Sequence, residues 1–387
     1  MIESIKIKNI LSFDSDGVDL KLKPLNVLIG PNGVGKSNFI DVISLLQAAP
    51  KDLAEIVRTG GGVIDWLRKD DPAAQAKVEV LVDYSYGPKN LRHNFAFTSE
   101  NKRFSLVDER IENDSPLPKN KQAFFFYKYE NNHPVLSVHG EEGKRKLKRE
   151  DVDPEQSILS QRKDPDIYPE ITWLGEAYRK IKIFREWTFG RDASPRKPHK
   201  ADERNDFLEE NAGNLGLILN SFGQFPDAKR KLLDYLQTLY EGITDFGVNI
   251  DVGHVQVVIE ENGMTIPATR LSDGTLRYLS LLAVLCHPKP PKLICIEEPE
   301  LGLHPDVLSH LAELLIDASH RTQLIVTTHS ETLVDALSDT AESVLVCEKK
   351  DGATSIQRLD PNTLKVWLEK YALGELWRRG EIGGNRW

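Results

Sequence analysis

The chain opens on an apolar/polar alternation: Ile2, Ile5 and Ile7 stand against Glu3, Lys6 and Lys8, a period of two that predicts a strand over 2–8. Further strand-like runs cover 18–22 and 25–29, and the helical spacing of apolar residues over 38–46 predicts a helix next. From 77 to about 138 the period is two again, over 77–84, 94–98, 104–111, 123–129 and 135–139, with Gly, Pro, Asn and Asp between the runs. That pattern predicts an antiparallel sheet. Helical spacing returns over 171–187 and over 206–240, where Phe207, Leu208, Leu215, Ile218, Leu219, Leu232, Leu233, Leu236 and Leu239 supply apolar faces. Alternation covers 248–259. From 271 onward, helices alternate with the apolar runs 293–296, 324–326 and 344–346, the pattern of parallel α/β. The fold class is therefore α/β, and we expect three units: an N-terminal lobe over 1–140, a helical lobe with basic linkers over 141–245, and a C-terminal lobe over 246–387. The segment 188–205, rich in Arg, Lys, Asp and Pro, reads as a mobile linker.

Composition narrows the class. With 387 residues, 40% of them hydrophobic, the chain can bury a substantial core, and its net charge of −9 argues against indiscriminate coating of nucleic acid. Local basic runs leave DNA contact open. Cys286, Cys295 and Cys347 have no metal-ligand spacing, and two of them sit in apolar runs that suit reduced, buried thiols. No signal core and no apolar run of membrane-spanning length is present, so we expect a cytoplasmic protein with no membrane partner.

The chemistry begins directly after the 25–29 strand. Gly30-Pro31-Asn32-Gly33-Val34-Gly35-Lys36-Ser37 fits G-x-x-x-x-G-K-[ST] at every required position. Glycines let backbone N–H groups turn onto a phosphate chain, Lys36 adds a point charge, and Ser37 offers a hydroxyl to magnesium. Asn38 follows as the helix starts, so the phosphates would also meet a helix N-terminus. Gly30, Asn32, Gly33, Val34, Gly35, Lys36, Ser37 and Asn38 are the expected contacts for a nucleotide, ATP with Mg2+.

The apolar run 293–296 ends in Glu297-Glu298, where a nucleotide hydrolase places an acid on the magnesium side and a base that activates water. We assign Glu297, with Ser37, to the metal and Glu298 to the attacking water. Thr327-Thr328-His329-Ser330 follows the next strand run and puts an imidazole at the ligand-binding edge of an open sheet, where His329 would sense the γ-phosphate.

Leu271-Ser272-Asp273-Gly274-Thr275-Leu276-Arg277 precedes the acidic pair and resembles the signature of the ABC ATPase superfamily, L-S-x-G-x-[KR]. Phosphate loop, signature, acidic strand and switch histidine occur in that superfamily's order. The resemblance implies an ABC-type P-loop NTPase head with mixed and parallel sheets, an antiparallel β subdomain and a small helical lobe. It also implies that Ser272 and Gly274 close on ATP held by another copy, making the chain a homodimer around two Mg-ATP.

Within the superfamily the chain resembles the chromosome-maintenance (SMC) and RecF-like branch. Ile5-Lys6-Ile7-Lys8-Asn9-Ile10-Leu11-Ser12-Phe13 is similar to its first strand and loop, and Asn38 is typical of it. Glu297-Glu298-Pro299-Glu300-Leu301-Gly302-Leu303-His304-Pro305 is similar to its short-armed members, among them the overcoming-lysogenisation-defect ATPases. Glu297 stands where most relatives carry Asp, and no heptad run supports a long arm. Those relatives carry a nuclease module after the ATPase and none is recognisable here, so the resemblance implies a separate nuclease or toxin partner in antiphage defence. A DNA-repair ATPase and a slow-hydrolysing, ATP-dependent scaffold are the alternatives.

Other residues stay open. Gln47 and Gln161 are the candidates for a magnesium-sensing glutamine. Arg58 resembles the arginine that follows the first helix in this branch, near nucleotide or DNA. The basic runs 144–149 and 196–200 are candidate DNA contacts, and the aromatic stripe from Trp367 to Trp377 with its Gly-rich tail is a candidate docking element.

Overall fold

The N-terminal alternation becomes β1 (Ile2–Lys8), which buries Ile2, Ile5 and Ile7 and pairs antiparallel with β2 (Val18–Lys21). The apolar run becomes β3 (Leu25–Ile29), which joins a different sheet because both of its faces are buried. After the phosphate loop come α1 (Lys36–Ala48), α2 (Leu53–Thr59) and α3 (Val63–Trp66). The period-two stretches are β4 (Ala76–Val82), β5 (Leu91–Glu100), β6 (Arg103–Asn113), β7 (Phe125–Glu130), β8 (His133–Ser137) and β9 (Lys144–Lys146). They complete an eight-stranded antiparallel sheet in the order β2-β1-β4-β5-β6-β7-β8-β9. This computed structural model describes residues 1–387 except 71–74, 119–121, 131–132, 138–143, 147–151, 186 and 385–387.

α4 (Ile158–Gln161) and α5 (Pro169–Arg179) follow, then the short strand β10 (Lys182–Phe184). The helix expected over 171–187 therefore ends at Arg179. Three strand residues are too few to show a period of their own, and β10 exists because Ile183 and Phe184 are buried beside the neighbouring strand. The segment 188–205 is no loose linker: β11 (His199–Lys200) pairs with β13 (His254–Glu261), and Arg196 is buried. Its polar composition misleads because the guanidinium is satisfied by backbone carbonyls, which no composition reveals.

The expected 206–240 helix begins only at α6 (Leu215–Ser221), followed by α7 (Pro226–Gln237). Residues 206–214 form a loop closed by buried Asn214. Its Oδ1 accepts from Glu209 N (2.9 Å), and its Nδ2 donates to Arg204 O (2.8 Å) and Phe207 O (3.0 Å). β12 (Ile243–Asp251), β13 and β14 (Met264–Pro267) form with β11 a small antiparallel sheet.

The remaining elements are α8 (Asp273–Leu285), β15 (Leu293–Glu297), α9 (Leu308–Ser319), β16 (Gln323–Thr327), α10 (Glu331–Asp335), β17 (Val344–Lys350), β18 (Ala353–Arg358), α11 (Pro361–Leu368) and α12 (Leu373–Arg378). The central sheet runs β10-β15-β16-β3-β17-β18, parallel except for the β17–β18 hairpin. Its middle strands β3 and β16 are buried at every position and, with β15, mostly apolar, because both faces of the sheet are covered there. Leu28, Cys295, Ile325, Leu345 and Cys347 face a core shared with the large sheet, α1, α4 and α5. Val27, Ile29, Ile296, Val326 and Val346 face a second core with α6 to α10 and α12. Each fully buried Val, Leu or Ile side chain contributes roughly 2 kcal/mol. The described residues of 141–245 divide between these two cores: α4 and α5 join the first, α6 and α7 the second. Among the described residues no helix is long and apolar enough to cross a membrane.

Candidate nucleotide site at the strand ends

β15, β16 and β3 are adjacent and parallel, so the turns after their C-terminal ends lie side by side. That topology alone brings Glu298, His329 and the phosphate loop to one edge of the sheet. A cavity of ≈ 140 Å3 there is lined by Asn32, Gly33, Gly35, Lys36, Ser37, Asn38, Glu298 and His329.

The glycines are required by geometry. A Cβ on Gly30 would sit 2.4 Å from Cys347 O, and one on Gly35 (φ 107) would meet Thr354 Oγ1 at 2.2 Å and Ser12 Oγ at 2.6 Å. Gly33 has φ 74 with nothing within 4 Å of its absent side chain, leaving its backbone open to a ligand. Thr354 Oγ1 bonds Val34 O (2.7 Å) and Ser12 Oγ (2.6 Å), and Asn38 Nδ2 donates to Ser12 Oγ (2.7 Å). The 10–13 turn and the β18 hairpin thus buttress the loop, and Asn38 is engaged with Ser12 while still lining the cavity. Val34 is buried and offers the site only its backbone.

Lys36 is buried and its ammonium donates to the carbonyls of Gly30 (2.7 Å) and Pro31 (3.1 Å). Burial pulls its pKa down, against the raising influence of Cys347, Glu298, Glu300 and Glu297. A buried amine curled on its own loop, beside open glycine amides at the N-terminus of α1, fits a triphosphate.

Glu298 holds φ 43, a left-handed backbone uncommon outside glycine, and its N–H donates to Thr327 O (3.0 Å). Its Oε1 lies 3.5 Å from His329 Nε2. Glu300, given no role by the sequence, ties the two turns together: its Oε1 accepts from Thr328 Oγ1 (2.6 Å) and His329 N (2.7 Å). Burial raises the Glu300 carboxyl above its ordinary value.

On the cation side, Arg185, directly after β10, was missed by sequence reasoning. Its Nη1 lies 2.5 Å from Asp41 Oδ1 and its Nε 3.1 Å from Glu297 Oε1. Neither candidate glutamine reaches this place. Gln47 donates to Ile181 O and Glu210 (both 2.8 Å), and Gln161 is bonded to Asp153 and Gln156 O. The register of β10 on β15 sets Phe184 opposite Ile296, so the next residue pair is Arg185 and Glu297. Among the described residues no cluster of three or more His, Cys, Asp or Glu could hold a metal by itself. Of the two residues expected at the metal, Ser37 lines the cavity and Glu297, paired with Arg185, does not.

Ser272 and Gly274 do not line the cavity of their own chain. Ser272 caps α8, its Oγ accepting from Thr275 N (3.0 Å), and both Ser272 and Asp273 are exposed. Gly274 packs so closely that a Cβ would lie 2.8 Å from Gly302 O. Arg58, on α2, pairs with Glu155 (2.5 Å). Of the basic runs, Arg196 is buried and cannot contact DNA, 147–149 lie outside the described residues, and Lys144–Lys146 form β9. The tail from 385 also lies outside the described residues, whereas Trp377 packs in the second core. A larger cleft, ≈ 1170 Å3, lies at the other end of α1 around Gln47, Phe207, Glu210 and His287. Its mixed charges offer no glycine-lined cradle, so the chemistry selects the smaller cavity.

The loop, the two strand-end turns and the sheet order define a P-loop α/β fold. Residues 25–335 match the family described as "AAA domain, putative AbiEii toxin, Type IV TA system", and the chain belongs to that family. Solved structures agree on the fold. An SMC head bound to the C-winged helix domain of ScpA is 13% identical with TM-score 0.57, covering 94% of this chain and 99% of that one. An SMC head with an extended coiled coil bound to the C-terminal domain of ScpA, from Pyrococcus furiosus, is 14% identical with TM-score 0.53, covering 95% and 98%. No curated protein matches the chain.

Proposed function

We propose that the protein binds and hydrolyses ATP, and that the single observation carrying this reading is the cavity that unites the phosphate loop with Glu298 and His329. Loop amides and Lys36 would hold the phosphates, while Glu298 would accept a hydrogen bond from the attacking water and His329 would face the γ-phosphate from beside it. Bound magnesium supplies neutralisation of phosphate charge, with Ser37 and Glu297 as its protein contacts. Because Ser272 and Gly274 stand apart from their own cavity, we read them as closing on the nucleotide of a second copy. In this reading the protein is an ATP-dependent homodimer that controls a separate effector such as a nuclease or toxin, in antiphage defence. The test is turnover by the purified protein with ATP and magnesium, together with its loss in Glu298→Gln, which should still bind nucleotide and accumulate as dimer. Absence of nucleotide binding by the wild type would refute the proposal.

A second reading is favoured by Arg185. A guanidinium on Glu297 withdraws the metal-side acid, which suits a slow-hydrolysing scaffold whose ATP-bound dimer holds an effector silent. Dimerisation with ATP but no measurable turnover would select it. The DNA-repair alternative loses support from the burial of Arg196 and now rests on Lys197, Lys200 and the 144–149 run; turnover unaffected by DNA would dismiss it.

A further inference from the structure

Arg196 sits in a 3-10 turn (Ser194–Arg196) with 7% of its surface exposed, yet its guanidinium is fully engaged. Nε donates to Phe189 O (2.8 Å) and Gly190 O (3.2 Å), and Nη1 donates to Ala268 O (2.9 Å) and Leu271 O (2.7 Å). Nη2 pairs with Asp273. One planar fork thereby spans residues 268, 271 and 273, the turn that leads into Ser272 and Gly274. From the same segment, Trp187 O accepts from Arg277 Nη2 (2.7 Å), one turn along α8. The Ser272 and Asp273 side of the turn faces outward while its inner side is stapled.

We infer that Arg196 is a positioning residue for the Ser272–Gly274 turn, fixing it before a second copy's triphosphate docks there; this rests on the two-copy reading above. The physical reason is preorganisation. A short exposed turn that had to order itself on contact would lose that ordering free energy from the association, whereas a turn held in advance by three guanidinium bonds, to Ala268 O, Leu271 O and Asp273, does not. Lysine cannot substitute, because a single ammonium cannot reach four carbonyl groups and a carboxylate in fork geometry.

The test uses the full chain with Arg196→Lys and Arg196→Met, reading three quantities: nucleotide affinity, ATP-dependent dimer dissociation in a Glu298→Gln background, and amide hydrogen exchange over 268–276. For Arg196→Lys the inference expects nucleotide affinity within about twofold of wild type, exchange over 268–276 at least about tenfold faster with β16 unchanged, and a dimer at least about tenfold weaker. Arg196→Met should exceed it in the last two. Unchanged exchange and dimerisation in Arg196→Lys overturn the inference. So does a parallel fall in nucleotide affinity and in β16 protection, which would make Arg196 a general fold contact. A wild type that binds ATP without dimerising defeats the two-copy reading, and the inference with it, while exchange still reports whether Arg196 holds the turn.

Discussion

Glu298 Oε1 and His329 Nε2 face each other across 3.5 Å at the ends of two adjacent parallel strands, and the glutamate is held there in a left-handed backbone, φ 43. A side chain bearing a Cβ in that region costs about 1 kcal/mol, a strain that surrounding structure must hold in place. Its backbone anchor is the bond that Glu298 N–H donates to Thr327 O (3.0 Å).

From this strain follows a separation of stability from activity. Glu298→Gly should unfold at higher urea than wild type, by about 0.5–1 kcal/mol, while turnover falls by about 10²–10⁴. Glu298→Gln should lose the same activity without the stability gain. Equal or lower stability of the glycine variant would show that φ 43 carries no strain.

Glu300 predicts a pH signature. Burial raises its folded-state pKa above the ordinary 4.5, so the folded protein holds the proton more tightly than the unfolded one. Its destabilising contribution is therefore absent at low pH and grows as pH rises from the ordinary value through the raised one. Glu300→Gln removes that dependence, so the stability difference between variant and wild type should shift in favour of the variant across that window. Denaturant titrations at pH 4 to 7, roughly the range above an ordinary carboxylate, check the sign. A constant difference would place Glu300 in an ordinary environment.

Removing Arg185 leaves Asp41 and Glu297 without their shared partner. Both acids and the guanidinium are partly exposed, with side-chain values of 26%, 19% and 30%, so the full penalty of a broken buried pair does not apply. Arg185→Gln should destabilise by about 1–2 kcal/mol. The double variant Arg185→Gln/Glu297→Gln should recover part of that loss, which a double-mutant cycle in urea measures.

Away from the nucleotide, Glu109 joins the large sheet to α4. It is 1% exposed, accepts from Ser157 Oγ (2.5 Å) and Ile158 N (2.8 Å), and meets His93 Nε2 at 3.2 Å. Glu109→Ala should cost about 3 kcal/mol, since it takes the partner from the Ser157 O–H, the Ile158 N–H and His93 Nε2 in the core. Nucleotide affinity of the surviving folded fraction should be unchanged, as equilibrium binding would show.

The amino-acid sequence by itself determined whatever is encoded between near neighbours. The phosphate loop is legible because Gly30, Gly33 and Gly35 answer local backbone demands, and the strands around it because covered strands must be apolar. Glu298 and His329 were legible as polar residues that end such strands. Tertiary structure alone decided the rest. Arg185 reaches Asp41 across 144 positions, Arg196 reaches Asp273 across 77, and Glu300 reaches Thr328 across 28. For Arg196 the principal partners are backbone carbonyls, which every residue possesses and no sequence pattern marks. That is why a buried, fork-bonded arginine read as part of a basic run, and why the acid that secures the histidine turn entered only as one residue of the 297–305 run.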